Sequence, residues 1–184
     1  MTTSALTPDP EGSTLPRPRV VLVGPPGAGK TTIARRLARA LNTTVVDSDV
    51  LIEDATGRTC GETFAELGET TFRELEAEHV AAALRNGGVV SLGGGAVLTE
   101  STRHLLADHV VVWIDVSVEE GYRRTSGDTS RPILAAADPR AHYRTLLETR
   151  APLYQEVADF RVRTDRRSPQ QVVAEVLGHL DTLT

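Results

Sequence analysis

Apolar residues in this 184-residue chain follow two alternating spacings. Uninterrupted apolar runs such as Val20–Val23 and Val110–Ile114 predict buried strands. Between these runs, apolar residues recur every three or four positions, first in Thr32–Leu41, and this period predicts helices. Because strands and helices alternate along the chain, the pattern predicts an α/β fold in which helices cover both faces of a parallel sheet.

Three shorter runs predict the remaining strands. Val45–Asp49 is a short apolar run that ends in two acids, and Val89–Leu92 leads into a run of glycines. Phe160–Thr164 alternates apolar with polar residues, which indicates a strand at the edge of the sheet. The pattern therefore predicts five strands in all.

The two ends of the chain differ in character. Residues 1–18 mix Thr, Ser, Pro, Asp and Gly without periodicity, which predicts a disordered N-terminal extension. We expect residues 19–184 to form one domain. Near its C-terminal end, a helix that starts at Pro139 is expected to kink or break at Pro152, and Ser168 is expected to cap a last helix.

A glycine-rich segment, Gly24–Thr31, separates the first strand from the first helix. It matches the pattern Gly-x-x-x-x-Gly-Lys-[Ser/Thr], in which backbone N–H groups surround phosphates, the lysine reaches the β- and γ-phosphates and the hydroxyl binds Mg²⁺. Lys30 is the only lysine among 20 basic residues. Since the segment leads from a strand into the N-terminus of a helix, as anion binding requires, it predicts a bound nucleoside triphosphate.

The composition excludes several classes of protein. A net charge of −5 argues against a nucleic-acid partner. No apolar run approaches the ~20 residues of a membrane-spanning helix. The start of the chain lacks the features of a signal peptide, and a lone cysteine, Cys60, agrees with a reducing compartment. We therefore expect a monomeric cytoplasmic protein with no membrane partner, and the five scattered histidines predict no zinc site.

Three acids follow predicted strands and compete for the role beside a metal ion. On an extended backbone Asp47 and Asp49 would point to one face, at the end of the sheet where α/β folds bind ligands. Asp49 could instead cap the following helix, with Glu53 near the capping-box position. Asp115 ends the most apolar strand and imitates the metal-binding acid of other nucleotide-binding proteins.

Glycines and arginines supply further candidates. Gly93–Gly95 would let the backbone approach a ligand closely, or would form a left-handed turn. Arg73, with acids around it, is by default a surface ion pair. The polar segment Arg123–Pro132 carries three arginines, which either face solvent or cover phosphates in the transition state.

Taken together, these motifs resemble the shikimate kinases over roughly Arg19 to Leu180. Beyond the phosphate-loop pattern, the resemblance rests on Asp47-Ser48-Asp49, Phe72-Arg73 followed by Glu76, Gly93-Gly94-Gly95-Ala96, Arg131-Pro132 and Arg150-Ala151-Pro152-Leu153-Tyr154. It implies a three-layer P-loop NTPase fold with a five-stranded parallel sheet in the order 2-3-1-4-5. It also implies a substrate-binding segment over about residues 48–76 and a lid over about 126–138.

By the same resemblance, the reaction transfers a phosphoryl group from ATP, with Mg²⁺, to the 3-hydroxyl of shikimate. Asp49 would orient or deprotonate that hydroxyl, Lys30 and Arg131 would act on the phosphates, and Thr31 and Asp47 would hold Mg²⁺. The implied nucleotide-binding residues are Gly27, Ala28, Gly29, Lys30, Thr31, Thr32, Arg124, Arg131 and Arg167, of which Arg124 and the Arg167 turn would pack around adenine. The implied shikimate-binding residues are Asp49, Arg73, Gly94, Gly95 and Arg150.

Two other functions stay open from the sequence. A kinase of another small hydroxy acid, such as gluconate, could share the fold, although the pair Arg73 and Arg150 favours a carboxylate such as that of shikimate. A non-catalytic nucleotide switch of the GTPase type would read guanine through an Asn-Lys-x-Asp motif. With Lys30 as the only lysine, that motif cannot occur in this chain, so what stays open on this side is a non-enzymatic protein that depends on ATP.

Overall fold

The computed structural model describes residues 16–127 and 137–184. Within these residues, five parallel strands form one sheet in the order β2-β3-β1-β4-β5, with helices on both faces. The predicted α/β fold and strand order are confirmed, and the polar-patterned fifth strand lies at an edge. The strands are β1 Pro18–Val23, β2 Val45–Asp47, β3 Gly88–Ser91, β4 Val111–Asp115 and β5 Phe160–Arg163.

The helices follow the strands in the order that the apolar spacing predicts. They are α1 Lys30–Ala40, α2 Ser48–Thr56, α3 Cys60–Leu67, α4 Glu69–Ala83, α5 Glu100–Leu106, α6 Val118–Thr125, α7 Pro139–Val157 and α8 Pro169–Asp181, and a single 3₁₀ turn spans Ala96–Leu98. Among the described residues, none of these helices is both long and apolar enough to cross a membrane.

The core lies on both faces of β1, whose alternate side chains point in opposite directions. Val20 and Leu22 pack with α1 and α8 on one face, and Val21 and Val23 pack with α4, α5 and α7 on the other. These four side chains are at most 1% exposed. Full burial of one such side chain contributes about 1.5–3 kcal/mol, so the central strand fixes the positions of the segments at its carboxyl end.

Asp47 ends β2, and the chain turns directly into α2. The Asp47 side chain accepts a hydrogen bond of 2.9 Å from the Asp49 backbone N–H, so Asp47 is the N-cap and Asp49 lies in the first helical turn. The prediction of an extended Asp47–Asp49 segment is therefore wrong, and so is the alternative that Asp49 is the cap. The Asp47 carboxylate already accepts from a free N–H group in the first turn of α2, so the helix does not need Asp49 as its cap.

Pro152 does not end α7, which continues to Val157. Proline removes one helical hydrogen bond, but the turn that follows Pro152 carries Tyr154, which is 1% exposed and packs in the core beside Trp113. The predicted break at Pro152 is wrong because this packing outweighs the local penalty. The predicted cap of the last helix is confirmed, since Ser168 forms a reciprocal capping box with Gln171.

Candidate active site

A cavity of about 1050 Å³ lies at the carboxyl ends of the central strands, where α/β sheets bind their ligands. Its wall brings together most of the residues that the sequence predicts for a site. These are Gly27, Gly29, Lys30, Thr31, Thr32, Asp47, Asp49, Arg73, Gly94, Gly95, Arg124 and Arg150. Arg131 lies outside the described residues, as does most of the predicted lid.

The phosphate loop joins β1 to α1 and uses two glycines in the left-handed region. Gly27 has φ 82° and Gly29 has φ 92°, which other residues adopt only with strain. A Cβ atom at Gly27 would also lie 2.7 Å from the carbonyl oxygen of Gly121 in α6. These glycines let the loop lie against α6 while it opens the N-terminus of α1 to the cavity.

Lys30 is held close to this loop. Its Nζ atom donates to the carbonyl oxygens of Gly24, at 2.6 Å, and Pro25, at 3.1 Å. The side chain lines the cavity, and its positive charge partly opposes the rise in the pKa of the Asp49 carboxyl that burial causes. Lys30 therefore connects the phosphate loop with the acidic side of the cavity.

Asp49 is a partly buried carboxyl that lines the cavity. Its pKa is raised above the usual 3.8, mainly because burial disfavours the charged form and secondly because the Asp47 carboxylate is near, while Lys30 opposes the shift. The neighbouring Cys60 thiol donates to the Asp49 backbone carbonyl at 3.5 Å, and burial raises the pKa of that thiol. Asp49 is thus a carboxyl of increased basicity, which suits a group that accepts a proton or a hydrogen bond.

Each glycine of the run Gly93–Gly95 leaves room for a different neighbour, which at Gly94 is first of all the Pro26 ring, 2.9 Å from a Cβ atom placed there. A Cβ atom at Gly93 would overlap the Asp49 carboxylate, and one at Gly94 would lie 3.4 Å from Nη1 of Arg150. At Gly95 it would lie 2.5 Å from Nη1 of Arg73. Close approach, and not a left-handed turn, therefore explains the run, since none of the three has a positive φ. The resemblance assigns Gly94 and Gly95 to shikimate but gives Gly93 no role.

Arg73 forms the predicted ion pair with an acid three residues along its helix, Glu76, but the predicted surface location of this pair is wrong. Its side chain is only 16% exposed and donates to Glu76 at 2.7 Å, while Phe64 and Phe72 lie within 6 Å of the guanidinium. Burial raises the pKa of Glu76, and the Arg73 charge opposes that shift. Among the described residues, Arg73 Nε is buried without a hydrogen-bond partner, which leaves a donor for a ligand.

Asp115 has a different role from the cavity acids. Its carboxylate is 5% exposed and binds Arg161 at 2.7 Å and Arg163 at 3.0 Å, both on β5. It does not line the cavity. Asp115 therefore stabilises the edge strand, in agreement with the resemblance, which gave it no metal.

A second cavity of about 460 Å³ opens on the other side of the phosphate loop. Ala28, Arg124 and Arg167 line it, so the predicted adenine-binding residues do come together. Arg124 donates to the Gly27 carbonyl at 3.2 Å and to the Thr164 hydroxyl at 3.0 Å.

Thr164 is a residue of this region that the sequence analysis missed. Its buried hydroxyl lies 3.1 Å from the Ala28 carbonyl oxygen, to which it can donate. It thereby ties the end of β5 to the phosphate loop. The only signal in the sequence was its position directly after a strand.

Two residues in the wall of the large cavity carry oxygen atoms that could bind Mg²⁺. Thr31 and Asp47 both line the large cavity, and a hydroxyl with a carboxylate is the oxygen chemistry that Mg²⁺ prefers. Among residues 16–127 and 137–184, no group of three or more His, Cys, Asp or Glu could hold a metal ion without other ligands. Thr31 and Asp47 therefore supply oxygen donors of the kind that Mg²⁺ prefers.

Comparison with known proteins adds independent evidence. A family model described as shikimate kinase matches residues 26–181. A shikimate kinase of Corynebacterium efficiens is 73% identical over 165 residues, which are 90% of this chain and 98% of that protein. The structure of a shikimate kinase from Acinetobacter baumannii in complex with shikimate superposes with a TM-score of 0.86, at 34% identity, covering 92% of this chain and 95% of the other.

A gluconokinase from Sinorhizobium meliloti shares the fold but little else. It superposes with a TM-score of 0.60 at 19% identity, covering 92% of this chain and 94% of the other. At that identity the likeness concerns the fold alone. The match of the family model over most of the chain, and the 73% identity to a curated relative, lead to one conclusion: the chain belongs to the shikimate kinase family.

Proposed function

We propose that this protein transfers the γ-phosphoryl group of ATP to the 3-hydroxyl of shikimate, giving shikimate 3-phosphate and ADP. One observation carries the proposal. One cavity is lined by the phosphate loop with Lys30, by the partly buried carboxyl of Asp49 and by the arginines Arg73 and Arg150. A site for the phosphoryl donor and a site for the carboxylate of the acceptor therefore lie in the same cavity.

The acceptor side suits a small hydroxy acid. Arg73 and Arg150 both reach the glycine run, at Gly95 and Gly94 respectively. Two guanidinium groups in a partly buried wall favour a carboxylate, because a planar fork binds it through paired, charge-assisted hydrogen bonds. The free Nε donor of Arg73 supports this role.

The donor side suits a nucleoside triphosphate. Helix α1 begins at Lys30, its first residues line the cavity together with Gly27 and Gly29, and Lys30 supplies a compact positive charge. Arg124 and Arg167 border the second cavity, where the nucleoside would lie. Arg131, which the resemblance assigns to the phosphates, remains a prediction.

Asp49 lies between the two sides and is the candidate for orienting the attacking hydroxyl. Phosphoryl transfer needs little covalent chemistry from the protein, so alignment of the nucleophile and neutralisation of charge are the main contributions. Bound Mg²⁺ would neutralise phosphate charge, with Thr31 and Asp47 as its protein ligands. We also propose that the enzyme acts as a monomer in the cytoplasm.

The proposal is tested by measuring ADP release with Mg-ATP and a panel of acceptors: shikimate, gluconate and nucleoside monophosphates. We expect shikimate to stimulate ADP release strongly and the other acceptors to have little effect. Stimulation by gluconate alone would support the rival hydroxy-acid kinase. ADP release that no acceptor changes would contradict the proposal.

Arg73→Ala should raise the shikimate KM by roughly one to two orders of magnitude, because a charge-assisted hydrogen bond contributes about 1.5–3 kcal/mol. The ATP KM should change little, since Arg73 is on the acceptor side. Steady-state kinetics with each substrate varied in turn measures both values.

The control for this variant is Arg85→Ala, which removes an exposed arginine that lies just beyond α4 and outside the cavity. Because Arg73→Ala also leaves Glu76 buried without its ion-pair partner, thermal melting must show that the variant is folded under assay conditions. An unchanged shikimate KM in folded Arg73→Ala would show that Arg73 only pairs with Glu76.

A further inference from the structure

Helix α7 carries two fully buried tyrosines, Tyr143 at 0% exposure and Tyr154 at 1%. They lie about three helical turns apart, so they face the same side of the helix. The adjoining side of α7 borders the large cavity, since His142, Thr149 and Arg150 line it. The tyrosines therefore lie directly behind the wall of the site.

The two tyrosine hydroxyls donate to backbone carbonyls in two different loops, one at the phosphoryl-donor site and one at the acceptor site. Tyr143 donates to the carbonyl oxygen of Pro26, in the phosphate loop, at 2.6 Å. Tyr154 donates to that of Gly94, in the glycine run, at 2.5 Å. One rigid helix is thus bonded to both the donor loop and the acceptor loop.

The two bonded residues also touch each other. A Cβ atom at Gly94 would lie 2.9 Å from Cδ of Pro26, so the proline ring packs directly on the glycine. Arg150, of the same helix, lies 3.4 Å from that Cβ position. Pro26, Gly94 and α7 therefore form one junction between the two halves of the site.

Packing alone does not account for the hydroxyl groups. Tyr154 lies 5.6 Å from the Trp113 ring, and a phenylalanine would make the same ring contact. Gly121 leaves space for the Tyr143 hydroxyl, because a Cβ atom there would overlap it. The structure therefore accommodates both hydroxyls at the places where they can hold the loops.

We propose that Tyr143 and Tyr154 are positioning residues, which hold the phosphate loop against the glycine run and so set the distance from the donor phosphoryl group to the acceptor hydroxyl. This inference rests on the proposed function. A misplacement on the order of 1 Å can reduce the rate of such a reaction about a hundredfold, so two hydrogen bonds at the junction can matter to turnover.

The test compares Tyr143→Phe, Tyr154→Phe and the double variant with wild type. We expect Tyr143→Phe to raise the ATP KM about tenfold and Tyr154→Phe to raise the shikimate KM about tenfold, with the other KM within about twofold in each case. We also expect kcat to fall in both variants. The matched control is Tyr122→Phe, since this third tyrosine of the chain lines neither cavity.

The double variant tests whether the two bonds act on one junction. If they do, the second substitution costs less once the first has loosened the contact, so the loss of kcat in the double variant is smaller than the product of the single losses. Independent, merely structural bonds would instead give multiplicative losses, and that result would overturn the proposal. Equal increases of both KM values in each single variant would overturn it too.

Pro26→Ala provides a second approach that touches neither tyrosine. It removes the ring that packs on Gly94, and we expect kcat to fall although thermal melting is unchanged. Wild-type kcat in this variant would contradict the proposal even if the tyrosine variants failed to fold. Wild-type protein that shikimate does not stimulate would mean instead that the proposed function itself is wrong.

Discussion

Lys30→Ala should lower kcat/KM for ATP by at least about a thousandfold, or roughly 4 kcal/mol of transition-state stabilisation. Three observations lead to this expectation. Lys30 is the only lysine of the chain, its ammonium group is fixed beside the phosphate loop by two backbone carbonyls, and its charge acts on Asp49. No other group in the described residues offers a compact cation at this position of the cavity. ADP release with saturating shikimate measures the loss.

Two further variants make this result specific. Arg35→Ala removes an exposed cation from α1 and should leave turnover unchanged. Lys30→Arg keeps the charge but replaces a compact ammonium with a wide planar group, so we expect it to restore little activity. Shikimate affinity, measured by titration, should survive in Lys30→Ala. A variant that retains a substantial rate would disprove the role of Lys30 in the phosphate site.

Asp49→Asn should lower kcat by a factor of about 10²–10⁴, the usual contribution of a group that accepts a proton from the nucleophile. Asparagine keeps the shape that fits against Gly93 but cannot accept a proton. The exposed Asp54 of the same helix supplies the control, and Asp54→Asn should be fully active. Single-turnover measurements would separate the chemical step from product release.

The pH dependence gives this prediction a second test. The pKa of Asp49 lies above 3.8, so the carboxyl becomes protonated as the pH falls through that raised value and then cannot accept from the hydroxyl. The kcat of the wild type should therefore decline on the acid side at a pH above the ordinary aspartate range. That decline should disappear in Asp49→Asn. If kcat declined at low pH in the same way in both proteins, the group that becomes protonated would not be Asp49.

The sequence predicts the fold well because the relevant signals are local. The Val20–Val23 run, the glycine loop and the helical period after it occupy adjacent positions, and each agrees with the others. The resemblance added the strand order, which spacing alone does not contain. The errors lie at Asp49 and Pro152, where a cap and a buried tyrosine outweigh the local preference.

The site was harder to predict because its residues act through packing between distant segments. Arg73 has several acids within one helical turn, and nothing local shows that its side chain points inward. One signal was available: Phe72, Glu76 and Val80 share the buried stripe of α4, and a carboxyl in an apolar stripe requires a buried partner such as Arg73. Thr164 and the α7 tyrosines gave no comparable signal, since their bonds join residues far apart in the chain.

The run Gly93–Gly95 has a consequence for altering the acceptor that the enzyme uses. The missing side chains at Gly93 and Gly95 leave space for the Asp49 carboxylate and the Arg73 guanidinium, and the one at Gly94 leaves space for the Pro26 ring, so any larger residue in the run displaces a group of the site. Leu98 and Leu146 line the cavity but are not among the catalytic groups. Substitutions at these positions could therefore reshape the pocket without displacing a group of the site. Libraries for new substrates should therefore keep the glycine run constant and diversify these positions.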